Sequence, residues 1–191
     1  MCEYCGCQAL PEIAELTREH DLVVNLIGDV RIAHRDADVP RTAWIARRLS
    51  AVLVPHTVVE EQGLFPPLAE EFPDGITALR AEHRHIEAVL DEAAAGVPAD
   101  PAWPRRLLDA LDLLRNHILK EQDGVFPAAL AGLSIEDWEA MDAVRTRVGT
   151  LSADFAAARF ATTDFSPEAG ADQRPAGSQQ DGPLTPGKAA S

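Results

Sequence analysis

The stretch HTVVEEQGLFPPL, residues 56–68, returns sixty-one residues later as HILKEQDGVFPAAL, residues 117–130. Both segments read His, three residues, Glu, two residues, Gly, an aliphatic residue, then Phe-Pro. On a helix, a spacing of four turns the side chain by about 40° and advances it by about 6 Å. His56 with Glu60, and His117 with Glu121, therefore share one face and can serve one site. The following Phe-Pro predicts a stop for each helix, with Phe65 and Phe126 covering the site.

Outward from these segments the chain divides into helices. Pro11, Pro40 and Pro101 sit where first turns tolerate proline, and Gly-Pro punctuation marks the ends, giving helices over roughly 11–37, 41–62, 75–95 and 102–123. Each carries an apolar stripe stepping by three and four. The stripes are Ile13, Leu16, His20, Val23, Ile27 and Val30; then Ile45, Leu49, Val52, His56, Val59 and Glu60. Ile76, Leu79, His83, Ile86 and Leu90 make the third, and Trp103, Leu107, Ala110, Leu114, His117 and Glu121 the fourth. Short connections favour antiparallel neighbours, so the expected fold is all-α, an up-down-up-down four-helix bundle over residues 11–130. An additional C-terminal helix is expected within 131–161, opened by a loose capping box at Ser134 and Asp137. The Pro-, Gly-, Ser- and Gln-rich residues 162–191 read as a disordered tail, and residues 1–10 as a Cys-rich N-terminal segment.

Every stripe contains one histidine. A single histidine on an apolar face is normally a hydrogen-bonded core residue, but one per helix in four helices is not explained that way. Unpartnered polar groups cost roughly 1–3 kcal/mol each when buried, and Glu60 and Glu121 add carboxylates that need a cation or a proton. A metal centre satisfies all six together. The repeat also extends to TREHDLVVNLI around His20 and RAEHRHIEAVL around His83, sixty-three residues apart. The chain thus reads as two related hairpins, one with His20 and His56–Glu60, the other with His83 and His117–Glu121. Facing each other, they suit two metals bridged by carboxylates. Mixed imidazole and oxygen donors suit iron, and also admit manganese or zinc.

In motif order, spacing and helix assignment, residues 11–127 resemble the hemerythrin-like, HHE cation-binding family. The resemblance implies a four-helix bundle around two iron ions, a non-haem di-iron centre with an oxo or hydroxo bridge. It implies that His20, His56, His83 and His117 are terminal ligands and that Glu60 and Glu121 bridge. Oxygen-carrying hemerythrins have a third-helix His-x3-His and a fourth-helix His-x4-Asp, where this chain has Glu87 after His83 and the shorter His117–Glu121 spacing. These departures speak against reversible oxygen transport and make Glu87 a candidate seventh ligand or the partner of one. His85 lies about 200° from His83, and His34 about 21 Å along the helix from His20, so neither belongs to the site. Glu61 and Glu82 adjoin ligands and are expected to point away into solvent or to support the site from outside.

The remaining features bound the function. A formal net charge of −14 argues against nucleic acid and anionic membranes as partners, and no apolar run reaches the length of a membrane span. Without an apolar leader, and with no cysteine beyond Cys2, Cys5 and Cys7, a cytoplasmic location is expected. Those cysteines form Cys-x2-Cys-x-Cys, one ligand short of a closed zinc site. They are either exposed thiols of a flexible segment or a means of redox exchange or iron transfer with a partner. The expected function is a di-iron protein interacting with oxygen, peroxide or nitric oxide, in sensing, scavenging or iron handling. The alternatives are a peroxide-decomposing di-iron enzyme, an iron-delivery or iron–sulfur repair factor using the cysteines, and a metal-free bundle.

Overall fold

The computed structural model describes residues 10–149, and within them the secondary structure is entirely helical. Helix α1 spans Pro11–Arg35 and α2 spans Val39–Val59. The Asp38 side chain joins them, accepting the Arg41 amide at 2.9 Å and so satisfying one of the free donors at the start of α2. A five-residue π turn, Glu60–Leu64, carries α2 directly into the short helix α3, Phe65–Leu68. Helix α4 follows over Pro73–Asp91 and α5 over Trp103–Lys120. A second π turn, Glu121–Val125, leads into α6, Phe126–Gly132. Last comes α7, Ile135–Val148, opened by Ser134 and Asp137 in a reciprocal capping box.

One expectation changes here. The Phe-Pro segments do not stop the ligand-bearing helices; proline is tolerated in the first turn of α3 and of α6, where its missing N–H is accommodated. The expected C-terminal helix is present as α7, ending before Gly149 at φ 84°. The rest of that expectation, the tail over 162–191 and the Cys-rich segment fall outside the described residues.

Helix α1 packs on α2, α4 on α5, α2 on α4, and α5 returns to α1, so the four long helices close on one another. Every residue of the four apolar stripes is buried. They form two clusters. One gathers Val23–Ala33 positions of α1, Ala43–Leu53 of α2, Ile86–Ala93 of α4 and its extension, and Trp103–Ile118 of α5. The other gathers Ile13 and Leu16, Val59 to Leu68, Ile76 and Leu79, Phe126 and Ala129, with Met141 and Val144 of α7. Burial of each large side chain stabilises by roughly 1.5–3 kcal/mol. Trp103 also fastens the end of α4 to the start of α5, its indole N–H donating to the Val89 carbonyl at 3.1 Å. His20, His56, His83, His117, Glu60 and Glu121 occupy the layer between the two clusters. Apolar packing above and below holds that polar layer in place.

Candidate metal centre

Six groups converge there from four helices and two π turns. His20 comes from α1, His56 from α2, His83 from α4 and His117 from α5, while Glu60 and Glu121 open the two π turns. Glu60 and Glu121 are 0% exposed, and none of the histidines exceeds 5%. Donor atoms of His20, His56, Glu60 and Glu121 all lie within 4.8 Å of one another, as do those of Glu60, His83, His117 and Glu121. Both carboxylates belong to both groups.

The second imidazole nitrogens explain why the rings face inward. Glu19 Oε2 accepts from His56 Nδ1 at 2.8 Å, Glu82 Oε2 from His117 Nδ1 at 2.9 Å, and Glu61 Oε1 from His83 Nδ1 at 3.1 Å. An ionised carboxylate can only accept, so each Nδ1 carries the hydrogen and each Nε2 is left for the cage. His20 Nδ1 is buried without such a partner. The Nε2 atoms of His20 and His56 stand 3.1 Å apart.

Without a metal, protons balance the cage. Burial pushes His56 down, but Glu60 and Glu19 outweigh it and raise the ring to about 10. Burial likewise lowers His117, and Glu121, Glu60 and Glu82 bring it up to about 9. His83 is raised against its burial, chiefly by Glu60. Burial raises the Glu60 carboxyl, yet His56 and His83 hold it well below the usual carboxylate range. Glu121 is raised by burial and by Glu60, and His117 and His20 bring it below its ordinary value. The raised imidazoles of His56, His83 and His117 thus favour the positive form beside the depressed carboxylates of Glu60 and Glu121.

The π turns place the aromatic cover. In an α-helix a residue five positions on lies roughly 140° around the axis. Here the Phe65 amide donates to the Glu60 carbonyl and the Phe126 amide to the Glu121 carbonyl, so five residues complete one turn. Each phenylalanine returns to the face of its glutamate. Phe65 stacks on His83, centroids 5.7 Å apart and planes within 10°, and Phe126 stacks on His20 at 5.7 Å and 8°. Each hairpin covers a histidine of the other.

Of the seven residues singled out in the sequence, the structure brings six together. Glu87 is in neither convergent group; its carboxyl takes a hydrogen bond from Thr57 and is raised, mainly by burial. It borders a narrow cavity of about 10 Å³ beside the cage, with Thr57, Leu53, Ile86 and Ile118. His34 and His85 are exposed, as the helix geometry required. Of the two alternatives expected for Glu61 and Glu82, the structure shows support from outside: each turns to an imidazole of a neighbouring helix rather than into solvent, since that imidazole offers an N–H its own helix cannot satisfy.

Two participants escaped the sequence reading altogether. Glu19 is 4% exposed and Arg145 6% exposed, and Arg145 Nη1 donates to Glu19 Oε1 at 2.8 Å. Glu19 and Glu82 each stand immediately before the first histidine of a hairpin, and that repetition was the available signal.

The donor set fits metal ions. All four oxygens of Glu60 and Glu121 are buried without an aligned hydrogen-bond donor. Imidazole nitrogens nonetheless lie close: His117 Nε2 is 2.8 Å from Glu121 Oε1 and His56 Nε2 is 3.3 Å from Glu60 Oε1. Such atoms point to a common centre rather than at each other, as ligands of a cation do. A wider apolar cavity of about 400 Å³, bordered by Phe72, Ile76, Leu79 and Val125, contains none of the six.

A family model described as the hemerythrin HHE cation binding domain matches residues 12–129. That span includes all six convergent groups and stops short of α7. Comparison with curated proteins and with solved structures gave no match.

Proposed function

The chain belongs to the hemerythrin HHE cation-binding family, and on that premise we propose that it holds two iron ions and presents them to oxygen, peroxide or nitric oxide. His20 and His56 would hold one ion, His83 and His117 the other, with Glu60 and Glu121 shared. The single observation that carries this reading is that both buried carboxylates belong to both groups of donors. Bound there, iron supplies electron exchange and Lewis acidity.

The residues of the chain supply the rest. Glu19, Glu61 and Glu82 hold the Nδ1 protons and so fix the ring directions. Phe65 and Phe126 exclude water from one side of the cage. On another side the cavity of about 10 Å³ is at the lower limit for one water molecule, which favours a ligand of two or three atoms over an organic substrate. Thr57 and Glu87 give that cavity a polar wall.

Alternating up-down-up-down helix direction belongs to the same reading. It is supported by the apolar clusters: the later part of α1 meets the earlier part of α2, and the end of α4 meets the start of α5. Among the described residues no helix is long and apolar enough to cross a membrane, and the net charge of −14 disfavours nucleic acid and anionic membrane surfaces as partners.

Metal analysis of anaerobically prepared protein is expected to give close to two irons per chain. Stopped-flow absorption of the reduced protein then separates the roles: a stable oxygen adduct indicates binding, rapid peroxide loss indicates an enzyme, and a nitrosyl band indicates nitric oxide capture. Protein that takes up no iron, with His56→Ala and His117→Ala variants of unchanged stability, would sink the proposal.

A further inference from the structure

Helix α7 lies beyond the residues matched by the family, yet it reaches the cage at more than one place. Arg145 is buried, and its guanidinium forks onto Glu19, Nη1 to Oε1 at 2.8 Å and Nη2 to Oε2 at 3.1 Å. The same Oε2 accepts the Nδ1–H of His56 at 2.8 Å. A planar fork holds both oxygens of a carboxylate, and so fixes the direction in which that carboxylate holds the imidazole. Further along α7, Met141 packs on the turn that carries Glu60: a Cβ on Gly63 would lie 3.0 Å from Met141 Cα. Arg147 Nη2 donates to Gln62 Oε1 at 2.6 Å on that same turn.

The second hairpin lacks this attachment among the described residues. Glu82, which holds His117, is paired with Lys120 from the adjoining helix of its own hairpin, and that lysine is 51% exposed. A Cβ on Gly124, the counterpart of Gly63, would meet nothing within 4 Å. Among the differences between the two related halves, one comes from outside them: the first is fastened by α7.

We propose that Arg145 is a positioning residue that fixes His56 through Glu19, so that the seating of α7 and metal holding by the His20–His56 side form one coupled equilibrium. The positioning role stands on hydrogen-bond geometry alone, whereas the coupling rests on the metal-binding reading above. Coupling of this kind is reciprocal. Metal on the first side favours the docked α7, and anything that draws α7 away loosens His56. α7 thereby carries the state of a buried site to the surface of the molecule.

The full chain and ferrous iron, handled anaerobically, suffice to test it. In metal-free protein, imidazole nitrogen NMR of Arg145→Met is expected to show His56 shifted and His83 and His117 in place; an unmoved His56 overturns the positioning role. Amide exchange across residues 135–148 is expected to slow at least about tenfold when iron binds, and to lose that response in Arg145→Met. Affinity for the weaker of the two irons is expected to fall about 10–100-fold in that variant, the usual cost of removing a partner behind a ligand. Glu139→Gln, on the exposed face of α7, is expected to match the parent throughout. Equal exchange with and without iron, in protein that does bind iron, overturns the coupling. Protein that binds no iron defeats the metal reading and the coupling together, while the NMR result still decides the positioning role. Should Arg145→Met fail to fold, Arg145→Lys keeps the charge and loses the fork; wild-type His56 resonances in it overturn the proposal.

Discussion

His20 Nε2 on α1 lies 3.2 Å from Glu121 Oε2, a carboxylate supplied by the opposite hairpin. On the other diagonal His83 Nε2 lies 3.4 Å from Glu60 Oε2. Each glutamate thus meets histidines from both halves of the chain. The halves are not two separate sites side by side but one site with exchanged parts.

Sharing makes a stoichiometric prediction. Glu60→Ala or Glu121→Ala is expected to abolish binding of both metals, because each removes a donor from both groups. His20→Ala removes a donor from one group only and is expected to retain close to one metal per chain. Iron content of purified variants checks this, and one full metal retained by Glu60→Ala contradicts the shared arrangement.

Loss of metal should register as loss of stability. All four oxygens of Glu60 and Glu121 are buried without an aligned hydrogen-bond donor, and a cation would satisfy them together. A ligand that binds only the folded state at about 100 times its dissociation constant stabilises by about 2.7 kcal/mol. Chelation is therefore expected to lower the thermal midpoint by several degrees in the parent protein and not in a Glu60→Ala, Glu121→Ala double variant.

The pH response should differ in direction between metal-free and loaded protein. His56 and His117 titrate at about 10 and about 9 in the folded state against an ordinary 6.5. Their contribution to metal-free stability is complete below about 6.5 and is lost as pH rises through 9 to 10. Glu60 and Glu121 are depressed, so their contribution is present above the ordinary carboxylate value and is lost as pH falls toward their folded values. Metal must displace protons from the imidazoles, so apparent affinity is expected to rise with pH between about 7 and about 9, by up to ~10-fold per pH unit for each proton released. Thermal melts and metal titrations across that range test both signs.

Gly63 and Gly124 occupy matching places in the two π turns but have different surroundings. Gly63→Ala would press its Cβ onto Met141 Cα and Cγ, each at 3.0 Å, and is expected to cost about 1–3 kcal/mol as overpacking. Gly124→Ala meets open space and is expected to be neutral or to stabilise by up to ~1 kcal/mol through the unfolded chain. Denaturant melts of the two variants measure the difference, and equal effects would remove the case for close packing of α7.

Much of this was legible because it depends on periods of three and four. The four stripes gave the buried faces, and the repeated His-x3-Glu gave the polar layer across them. Neighbouring-helix relations were not legible in the same way. Glu61 and Glu82 lie off the cage face of their own helices, and only the packing of α2 on α4 and of α4 on α5 turns them toward His83 and His117. The Arg145–Glu19 pair joins residues 126 positions apart, and α7 has no strong apolar stripe to announce where it docks. Phe-Pro misled for a local reason: proline can open a new helical turn as well as end an old one, and in both ligand helices it does the former.

The five-residue turns also bear on portability. The His-x3-Glu pair could be moved to any helix, because an ordinary turn already aligns positions four apart. The aromatic cover could not, since on an uninterrupted α-helix a residue five positions beyond the glutamate swings roughly 140° away. A transplant that copies donors alone would carry the chemistry into a new scaffold and leave Phe65 and Phe126 facing elsewhere. One surplus residue per helix, rather than any side chain, is what such a graft would have to preserve.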